Sequence, residues 1–323
     1  MPDDVNPDDV NPDDVNPDDV NPDDVNLVVA ADSSYVKQLA VTISGISATA
    51  GGRRHVVHLL HDAAERRHLD PVAACASDEV ELSWIDVRAT ARRDSIPAAL
   101  AYPSFYRLHA ERLLPETLDR ILYLDIDVII RRPLAELWEL DLGSAMVGAV
   151  RDAYRHSMVR ALPWRELGLE PSLPYFNSGV LCIPLDRWRV EGIGAQAEDL
   201  VVRGVVGPSD QDALNIVLAG RAQPIDPRWN VQTHHLVGDT CPAWETEPRE
   251  LLEAALADPA IVHFCGGTFN RPWVEPSRNP YRQEWFEWLD RTPWAGWRPR
   301  RESAMRRALR RAGRAGRVLT RGG

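Results

Sequence analysis

The amino-acid sequence predicts an α/β domain built on a mainly parallel β-sheet with helices on both faces. Short apolar runs typical of buried strands alternate with helix-like stretches over about 100 residues. The chain has 323 residues, 44% of them hydrophobic, which is enough for a sizeable core. None of its apolar runs approaches the roughly 20 residues that a membrane-spanning helix needs. Together these observations predict a globular α/β protein.

The first predicted unit is a strand followed by a helix. Residues 27–31 form an apolar run, and Asp32 is a residue type that favours the start of a helix. Apolar side chains then recur at helical spacing over residues 36–46, until Gly51 and Gly52 stop the pattern. This spacing is typical of a β-α unit.

Five more elements continue the alternation. The runs at His55–His61 and Val80–Asp86 predict strands, residues 103–114 predict a helix, residues 121–130 predict one buried central strand, and residues 260–264 predict a further short strand. Ligands of such sheets bind beyond the carboxyl ends of the strands. The residues that follow each strand are therefore the first candidates for function.

The strongest chemical signal lies within the predicted central strand. Asp125 and Asp127 are one residue apart in an apolar run, so strand alternation predicts both carboxylates on one side, roughly 7 Å apart at the backbone. Two desolvated like charges would each cost several kcal/mol without a cation. Carboxylate oxygens suit Mg²⁺ or Mn²⁺, which also bind substrate phosphates. The alternative is a structural pair neutralised by Arg131, Arg132 or backbone amides.

A histidine and an arginine extend this candidate site. As a third ligand beside two carboxylates, the imidazole of His263 would favour Mn²⁺ over Mg²⁺. Alone, a histidine in an apolar strand is more often a hydrogen-bonded core residue. Arg271 precedes Pro272 and Trp273 on a stiffened loop, where its charge can bind a phosphate or remain a surface charge.

These segments together resemble glycosyltransferase family 8, the retaining sugar-nucleotide transferases of GT-A fold. The family includes bacterial lipopolysaccharide galactosyl- and glucosyltransferases and the glycogenins. The resemblance extends from about Leu27 to Trp273, and six motifs occur in the family's order, whereas a lone Asp-x-Asp is a weak signal. The six segments are residues 30–35, 102–108, 122–128, 176–180, 209–212 and 263–266.

The resemblance implies a reaction and a role for each motif. It implies that Asp125, Asp127 and His263 bind Mn²⁺ or Mg²⁺, and that Asp210 and Gln211 act near the anomeric carbon of a UDP-hexose. The hexose, galactose or glucose, would pass with retention to a glycan, lipid-linked or other acceptor. The residues that it assigns to donor binding are Ala30, Asp32, Tyr35, Arg107, Asn177, Ser178, Gly266 and Arg271. Two alternatives stay open, a sugar-nucleotide nucleotidyltransferase and a catalytically silent carbohydrate-binding protein of the same fold.

Two clusters of aromatic and imidazole side chains have competing interpretations. His55, His58 and His61 could form a metal cluster, but strand alternation turns His58 away from the other two, which favours structural roles. Five tryptophans near the end of the domain could stack on an acceptor sugar, or form the core of a C-terminal subdomain, which is the more common case. They are Trp273, Trp285, Trp288, Trp294 and Trp297.

The formal net charge of −11 is a sum over three unlike segments. Residues 1–26 contain five Pro-Asp-Asp-Val-Asn repeats and carry −10. They are expected to be disordered, because proline interrupts backbone hydrogen bonding and paired aspartates repel each other. Residues 27–297, the predicted catalytic domain, also carry −10, whereas residues 298–323 hold ten Arg and one Glu and carry +9.

The basic tail at residues 298–323 is expected to bind an anionic membrane surface, where each arginine contributes up to about 1 kcal/mol. A solvated tail is the main alternative. Nucleic acid is not expected, because the domain is acidic and no nucleic-acid module is recognisable. The four cysteines lie far apart without a Cys-x-x-Cys pair, which predicts reduced thiols. We therefore expect a cytoplasmic protein, peripheral at the inner face of the membrane.

The opposite charges of the two ends predict that the acidic repeat competes with lipid for the basic tail. Deleting residues 2–25 should then strengthen binding to anionic liposomes at low salt, as measured by co-sedimentation, because the tail loses its intramolecular partner. Zwitterionic liposomes provide the control. Unchanged binding to anionic liposomes would leave the repeat a disordered leader without this role.

Overall fold

A seven-stranded β-sheet forms the centre of the protein. In the computed structural model, the described residues are 21, 23–90, 100–236, 247–267 and 270–299. Most of the predicted acidic repeat and nearly all of the predicted basic tail lie outside them. The strands are β1 (Val25–Ala30), β2 (His55–His61), β3 (Val80–Asp86), β4 (Arg120–Leu124), β5 (Val128–Ile130), β6 (Val147–Arg151), β7 (Phe176–Pro184), β8 (Ala222–Pro224), β9 (Val231–Gln232) and β10 (Ile261–His263).

Helices connect and cover these strands. The α-helices are α1 (Val36–Thr49), α2 (Arg66–Leu69), α3 (Val87–Thr90), α4 (Ala110–Leu113), α5 (Ala135–Trp138), α6 (Met158–Ala161), α7 (Leu185–Glu191), α8 (Ile193–Val202), α9 (Asp210–Val217), α10 (Thr233–Leu236), α11 (Arg249–Ala257) and α12 (Arg282–Leu289). The 3₁₀ helices with described bounds are Ser33–Tyr35, Ala63–Glu65, Asp70–Cys75, Pro103–His109 and Pro227–Asn230. No helix in the described part of the chain combines the length and apolar composition needed to cross a bilayer.

The sheet has the strand order β3-β2-β1-β4-β7-β6-β8, and β7 alone in this sheet runs antiparallel to its neighbours. The prediction of a mainly parallel sheet is therefore confirmed. The chain leaves β1 towards β2 and β3 and returns on the other side of β1 as β4. The crevice beyond β1 and β4 is thus a topological switch point, where open α/β sheets bind ligands.

The prediction of one central strand over residues 121–130 is wrong, because the structure has two strands there, β4 and β5, which belong to different sheets. β4 pairs with β1 and β7, whereas β5 pairs with β10 in a three-stranded sheet of order β5-β10-β9. Other elements satisfy the backbone between them: Gly179 accepts from the Asp125 N–H at 2.7 Å, and Phe264 donates to the Asp127 carbonyl at 2.9 Å. The carboxylates therefore lie at a junction of two sheets and do not follow strand alternation.

The predicted helix over residues 103–114 is also divided. Its first part, Pro103–His109, is a 3₁₀ helix, and only α4 is α-helical. The Arg107 side chain donates from Nε to the Ser104 carbonyl at 3.2 Å, which is the oxygen that an α-helical N–H from residue 108 would use. The 3₁₀ conformation thus goes together with a buried Arg107 side chain that takes the place of an α-helical N–H at the Ser104 carbonyl.

Local patterning accounts for most of the other elements. β2 and β3 have the predicted bounds, and α1 covers the predicted helical stretch with Leu39, Ile43 and Ile46 fully buried. β1 begins at Val25, two residues earlier than the predicted run, because Val25 pairs with His55. All six residues of β1 are buried, as expected for a strand inside a parallel sheet covered on both faces.

The tryptophan cluster is part of a core beside the second sheet. Trp285 is fully buried in one cluster with Val262 and Phe264, and the other four predicted tryptophans are partly buried in the same cluster. This packing favours the core interpretation over an acceptor platform. Cys75, Cys182 and Cys265 are free thiols, as predicted, and Cys241 lies outside the described residues.

The three histidines of β2 have separate partners, which favours their structural interpretation. The ring nitrogen Nδ1 of His55 lies 2.8 Å from the Arg53 carbonyl, and that of His61 lies 3.0 Å from the Asp62 carbonyl. His58 Nε2 lies 3.1 Å from Oδ1 of the Asn26 amide, while His58 Nδ1 is buried without a hydrogen-bond partner. Burial lowers the pKa of His58 to about 4.

The buried His58 predicts a loss of stability on acidification. The unfolded chain takes up a proton at the ordinary pKa of 6.5, whereas folded His58 resists protonation until about pH 4, so stability falls as the pH decreases through this window. In His58→Gln, which can still donate to Asn26, the loss of unfolding free energy between pH 7 and pH 5 should be smaller by about 2 kcal/mol. Urea unfolding at both pH values measures this difference.

The exposed His68, replaced by Gln in the same way, controls for the removal of one imidazole. An equal loss of unfolding free energy in the parent protein and in His58→Gln would contradict the prediction.

Candidate active site

Three predicted metal ligands meet at the junction of the two sheets. Asp125 and Asp127 occupy the turn between β4 and β5, and His263 ends β10, which pairs with β5. One ligand atom from each lies within 4.8 Å of the others. His263 Nε2 is 3.2 Å from Asp127 Oδ1 and 3.6 Å from Asp125 Oδ2. Pairing of β10 with β5 thus brings distant parts of the chain to one point.

The two carboxylates at this junction favour a positive charge between them. Burial lowers the pKa of His263, but Cys265 and Asp127 raise it more, so the net pKa lies well above its ordinary value. Burial raises the pKa of Asp127, but His263 and Arg271 hold the net pKa below its ordinary value. A proton on the imidazole or a divalent cation would meet the same electrostatic demand, and metal binding displaces such a proton.

The donor set and the space around it fit a divalent cation. Two carboxylates and an imidazole are ligands that Mn²⁺ accepts readily, and both carboxylate side chains are partly exposed, 25% for Asp125 and 18% for Asp127. Gly179 of β7 makes this arrangement possible. A Cβ atom there would lie 2.2 Å from His263 Cε1 and 2.8 Å from Asp125 Oδ2, so only glycine leaves the ligands in place.

A buried arginine connects the candidate metal site to the start of α9. Arg107 donates from Nη2 to Asp125 Oδ1 at 2.7 Å, and its Nε lies 2.9 Å from Asp210 Oδ2. Its Nη1 donates to the Ser178 carbonyl, and its guanidinium lies 4.2 Å from the centre of the Tyr123 ring. Burial lowers the pKa of Arg107, but the two carboxylates raise it above its ordinary value. Arg107 is therefore a charged link between two carboxylates.

The first turn of α9 presents a carboxylate and an amide to the same cleft. Ser209 caps this helix, because its hydroxyl accepts from the Asp212 N–H at 3.1 Å. Gln211 accepts from the Ser178 N–H at 3.0 Å and donates to Asp152 Oδ2 at 3.1 Å, so both ends of its amide are fixed. Burial raises the pKa of Asp210 above its ordinary value, although Arg107 acts in the opposite direction.

The predicted donor-binding residues of the first motif lie at the end of β1. Ala30 is its last residue, and Asp32 caps the following 3₁₀ helix by accepting from the Ser34 N–H at 2.9 Å. Arg271 donates from Nη1 to the Tyr35 hydroxyl at 3.2 Å, although the two residues are far apart in the chain. Arg271 Nε is buried without a hydrogen-bond partner among the described residues, and an anionic ligand could use it.

Gly266 has a φ of 95°, in the left-handed region that favours glycine, and it turns the chain after His263. The two residues that follow Gly267 lie outside the described part of the chain.

Two further residues of the site were not predicted. Asp152 follows β6 directly, so a search of every strand end could have found it. Its Oδ2 accepts from Gln211 at 3.1 Å and from Asn177 Nδ2 at 3.2 Å. Asn230 is fully buried and lies 2.9 Å from both His263 and Asn177. No local sequence pattern marks Asn230, because its contacts come from other elements.

Comparisons with known proteins show which family the chain is similar to. The family model "Glycosyl transferase family 8" matches residues 26–276. General stress protein A of Bacillus subtilis (strain 168) is 32% identical over 201 residues, which are 59% of this chain and 66% of that protein. The chain therefore spans slightly less than two thirds of that relative. Lipopolysaccharide 1,2-glucosyltransferase of Escherichia coli (strain K12) is 23% identical over 289 residues, or 85% of this chain and 80% of that protein.

A solved structure is similar in fold. The galactosyltransferase LgtC, in complex with donor and acceptor sugar analogs, has a TM-score of 0.66 and 24% sequence identity, covering 83% of this chain and 96% of that chain. This likeness supports the predicted GT-A fold, with its mainly parallel sheet. The family match covers most of the sequence and includes every predicted site residue. The chain thus belongs to glycosyl transferase family 8.

Proposed function

We propose that this protein transfers a hexose, with retention, from a UDP-sugar to a glycan or lipid-linked acceptor in a reaction that depends on Mn²⁺. The observation that carries the proposal is the meeting of Asp125, Asp127 and His263 at the sheet switch point. Family membership supports glycosyl transfer, and the similarity to a lipopolysaccharide glucosyltransferase supports a hexose donor and such an acceptor.

The proposed cation is held by Asp125, Asp127 and His263. When bound, it would neutralise negative charge that develops on the UDP diphosphate as the glycosidic bond breaks. The imidazole in the ligand set favours Mn²⁺ over Mg²⁺. Arg271 would contribute a second positive charge to the diphosphate, and its unpartnered Nε supports this role.

The nucleoside of the donor is proposed to bind at the end of β1. Asp32 would accept hydrogen bonds from the uracil ring, Tyr35 would stack on it, and the backbone at Ala30 would line the same pocket. The hydrogen bond between Arg271 and Tyr35 supports a shared site, because it joins the proposed base-binding and phosphate-binding residues. Gly266 would let the backbone approach the donor closely.

The sugar is proposed to lie beside the first turn of α9. Asp210 or Gln211 would stabilise positive charge on the sugar, and Asn177 and Ser178 would orient it. Gln211 is an uncharged amide and a poor nucleophile, so we favour attack by the acceptor on the donor's own face over double displacement. Arg107 holds Asp125 and Asp210 at fixed positions, in addition to any contact with the donor.

The acceptor and the cellular location remain proposals from the sequence. A cytoplasmic enzyme with its basic tail on the inner membrane surface would meet a lipid-linked acceptor there. The tail residues that would make this contact lie outside the described part of the chain.

The first test is Mn²⁺-dependent hydrolysis across a panel of UDP-sugars. UDP release in the unaltered protein is expected, and Asp127→Asn should lower this rate by about 100-fold or more, because one anionic ligand is lost. A coupled assay for UDP measures the rate. Asp258→Asn removes a carboxylate that pairs with Arg132 at the surface, and serves as the matched control.

Each other outcome has a clear meaning. Unchanged hydrolysis in Asp127→Asn would refute the metal assignment. With pyrophosphate added, conversion of a UDP-sugar into UTP and a sugar 1-phosphate would support a nucleotidyltransferase, and donor binding without turnover would support a silent binding protein.

The close packing at Gly179 gives a second test of the metal site. Gly179→Ala should abolish measurable Mn²⁺ binding or weaken it by at least about 10-fold, because its Cβ would collide with His263 and displace Asp125. Electron paramagnetic resonance of free Mn²⁺ measures the affinity. Gly207→Ala adds the same methyl group where no atom lies within 4 Å, and should bind Mn²⁺ like the unaltered protein. Equal affinities in the two variants would contradict the prediction.

A further inference from the structure

Three hydrogen bonds in series connect Asp152 to the imidazole of His263. Asn177 donates from Nδ2 to Asp152 Oδ2 at 3.2 Å, and Asn230 donates from Nδ2 to Asn177 Oδ1 at 2.9 Å. Asn230 Oδ1 lies 2.9 Å from His263 Nδ1. All four side chains are buried, so water does not compete for these contacts.

The direction of this series is fixed at its first two members. Oδ1 of Asp152 accepts from two backbone N–H groups, and its Oδ2 accepts from two side-chain amides, so this carboxylate acts as an acceptor throughout. The Gly179 N–H donates to Asn177 Oδ1 at 3.0 Å. A reversed Asn177 amide would place NH₂ against that N–H and its oxygen against the carboxylate. Asn177 must therefore present its oxygen to Asn230.

The orientation of the Asn177 amide also fixes the orientation of Asn230 beside the imidazole. Since Asn177 offers an oxygen, Asn230 must direct its NH₂ to Asn177 and its own oxygen to His263. An acceptor oxygen at 2.9 Å requires that His263 Nδ1 carry a proton. When the ring is neutral, Nε2 then keeps its lone pair on the side facing Asp125 and Asp127, where a cation would bind.

We propose that Asn230 is a positioning residue that holds His263 in the Nδ1-protonated tautomer and thereby raises the affinity of the site for a divalent cation. This inference rests on the metal site of the proposed function. Asn230 would not touch the cation, because its contact is with the far side of the imidazole ring. Partners of this kind orient metal-binding histidines and increase their basicity.

The test compares two replacements of Asn230 by Mn²⁺ binding to the full chain, measured from the paramagnetic resonance of free Mn²⁺. Asn230→Leu has similar volume but no acceptor, and its dissociation constant for Mn²⁺ should rise about 10- to 100-fold. Asn230→Asp keeps an oxygen for the Nδ1 proton but loses the NH₂ that Asn177 Oδ1 accepts from, so its dissociation constant should stay at least about threefold below that of Asn230→Leu.

A matched control comes from another buried amide. Asn215 is fully buried, accepts from the Phe176 N–H and donates to the Phe176 and Gln211 carbonyls, and none of these hydrogen bonds involves His263. Asn215→Leu should therefore leave Mn²⁺ affinity unchanged. An equal loss of affinity in Asn215→Leu and Asn230→Leu would overturn the proposal, because it would reflect a general disturbance of the core.

A second measurement needs no replacement of Asn230. In the unaltered Mg²⁺-loaded protein labelled with ¹⁵N-histidine, His263 should show a proton bonded to Nδ1 in a heteronuclear NMR spectrum. The signal is assigned by its absence in His263→Gln. This experiment tests the tautomer even where Asn230→Leu fails to fold, and an Nδ1 without a proton would overturn the proposal.

The outcomes separate the two levels of inference. Mn²⁺ binding that is lost in Asp127→Asn but retained in Asn230→Leu would overturn the role of Asn230 alone. Absence of Mn²⁺ binding to the unaltered protein, or equal binding by Asp127→Asn, would overturn the metal site and this inference together.

Discussion

The proximity of Asp125 and Asp127 is the constraint on which the rest of the site depends. Two carboxylates cannot end a buried strand side by side without positive charge nearby. Arg107 pairs with Asp125 from the 3₁₀ helix, and His263 contacts both carboxylates from β10. The chain also changes sheets at this point, so that the backbone at residues 125–127 bonds to other elements. The break between β4 and β5 and the candidate metal site thus occur at the same residues.

Arg107 connects the candidate metal site to the first turn of α9, because it neutralises a carboxylate in each of them. Arg107 pairs with Asp125 on one side and with Asp210 on the other. Asp125, proposed to bind the metal, and Asp210, proposed to act on the sugar, therefore share the guanidinium of Arg107 as their positively charged partner. A change at Arg107 would alter both together, so its effect on rate could not be assigned to either carboxylate alone.

The sequence predicted the elements whose signal is local. β2 and β3 have their predicted bounds because apolar residues mark them, and α1 covers the stretch where apolar side chains recur at helical spacing. The single strand over residues 121–130 was wrong because an apolar run does not reveal that Gly179 and Phe264 bind the backbone at its centre. Such partners lie too far along the chain for periodicity to show.

The same distinction applies to the candidate site. Asp125, Asp127 and His263 were predicted from residue types at strand ends and from the family motifs, and the structure brings them together. Asn230 was missed because a buried asparagine has no pattern of its own. Its meaning depends on which atoms face its amide, and those belong to β7 and β10. The tertiary structure is needed to assign hydrogen-bond direction.

The order of the elements along the chain has a consequence for synthesis on the ribosome. All seven strands of the main sheet lie between Val25 and Pro224, whereas His263 and Arg271 come later. The scaffold can therefore assemble before these two site residues have emerged. A chain released early could resemble the finished fold in its main sheet and still lack the imidazole between its carboxylates. The segment that carries β10 and Arg271 thus completes the site after the strands of the main sheet have been synthesised.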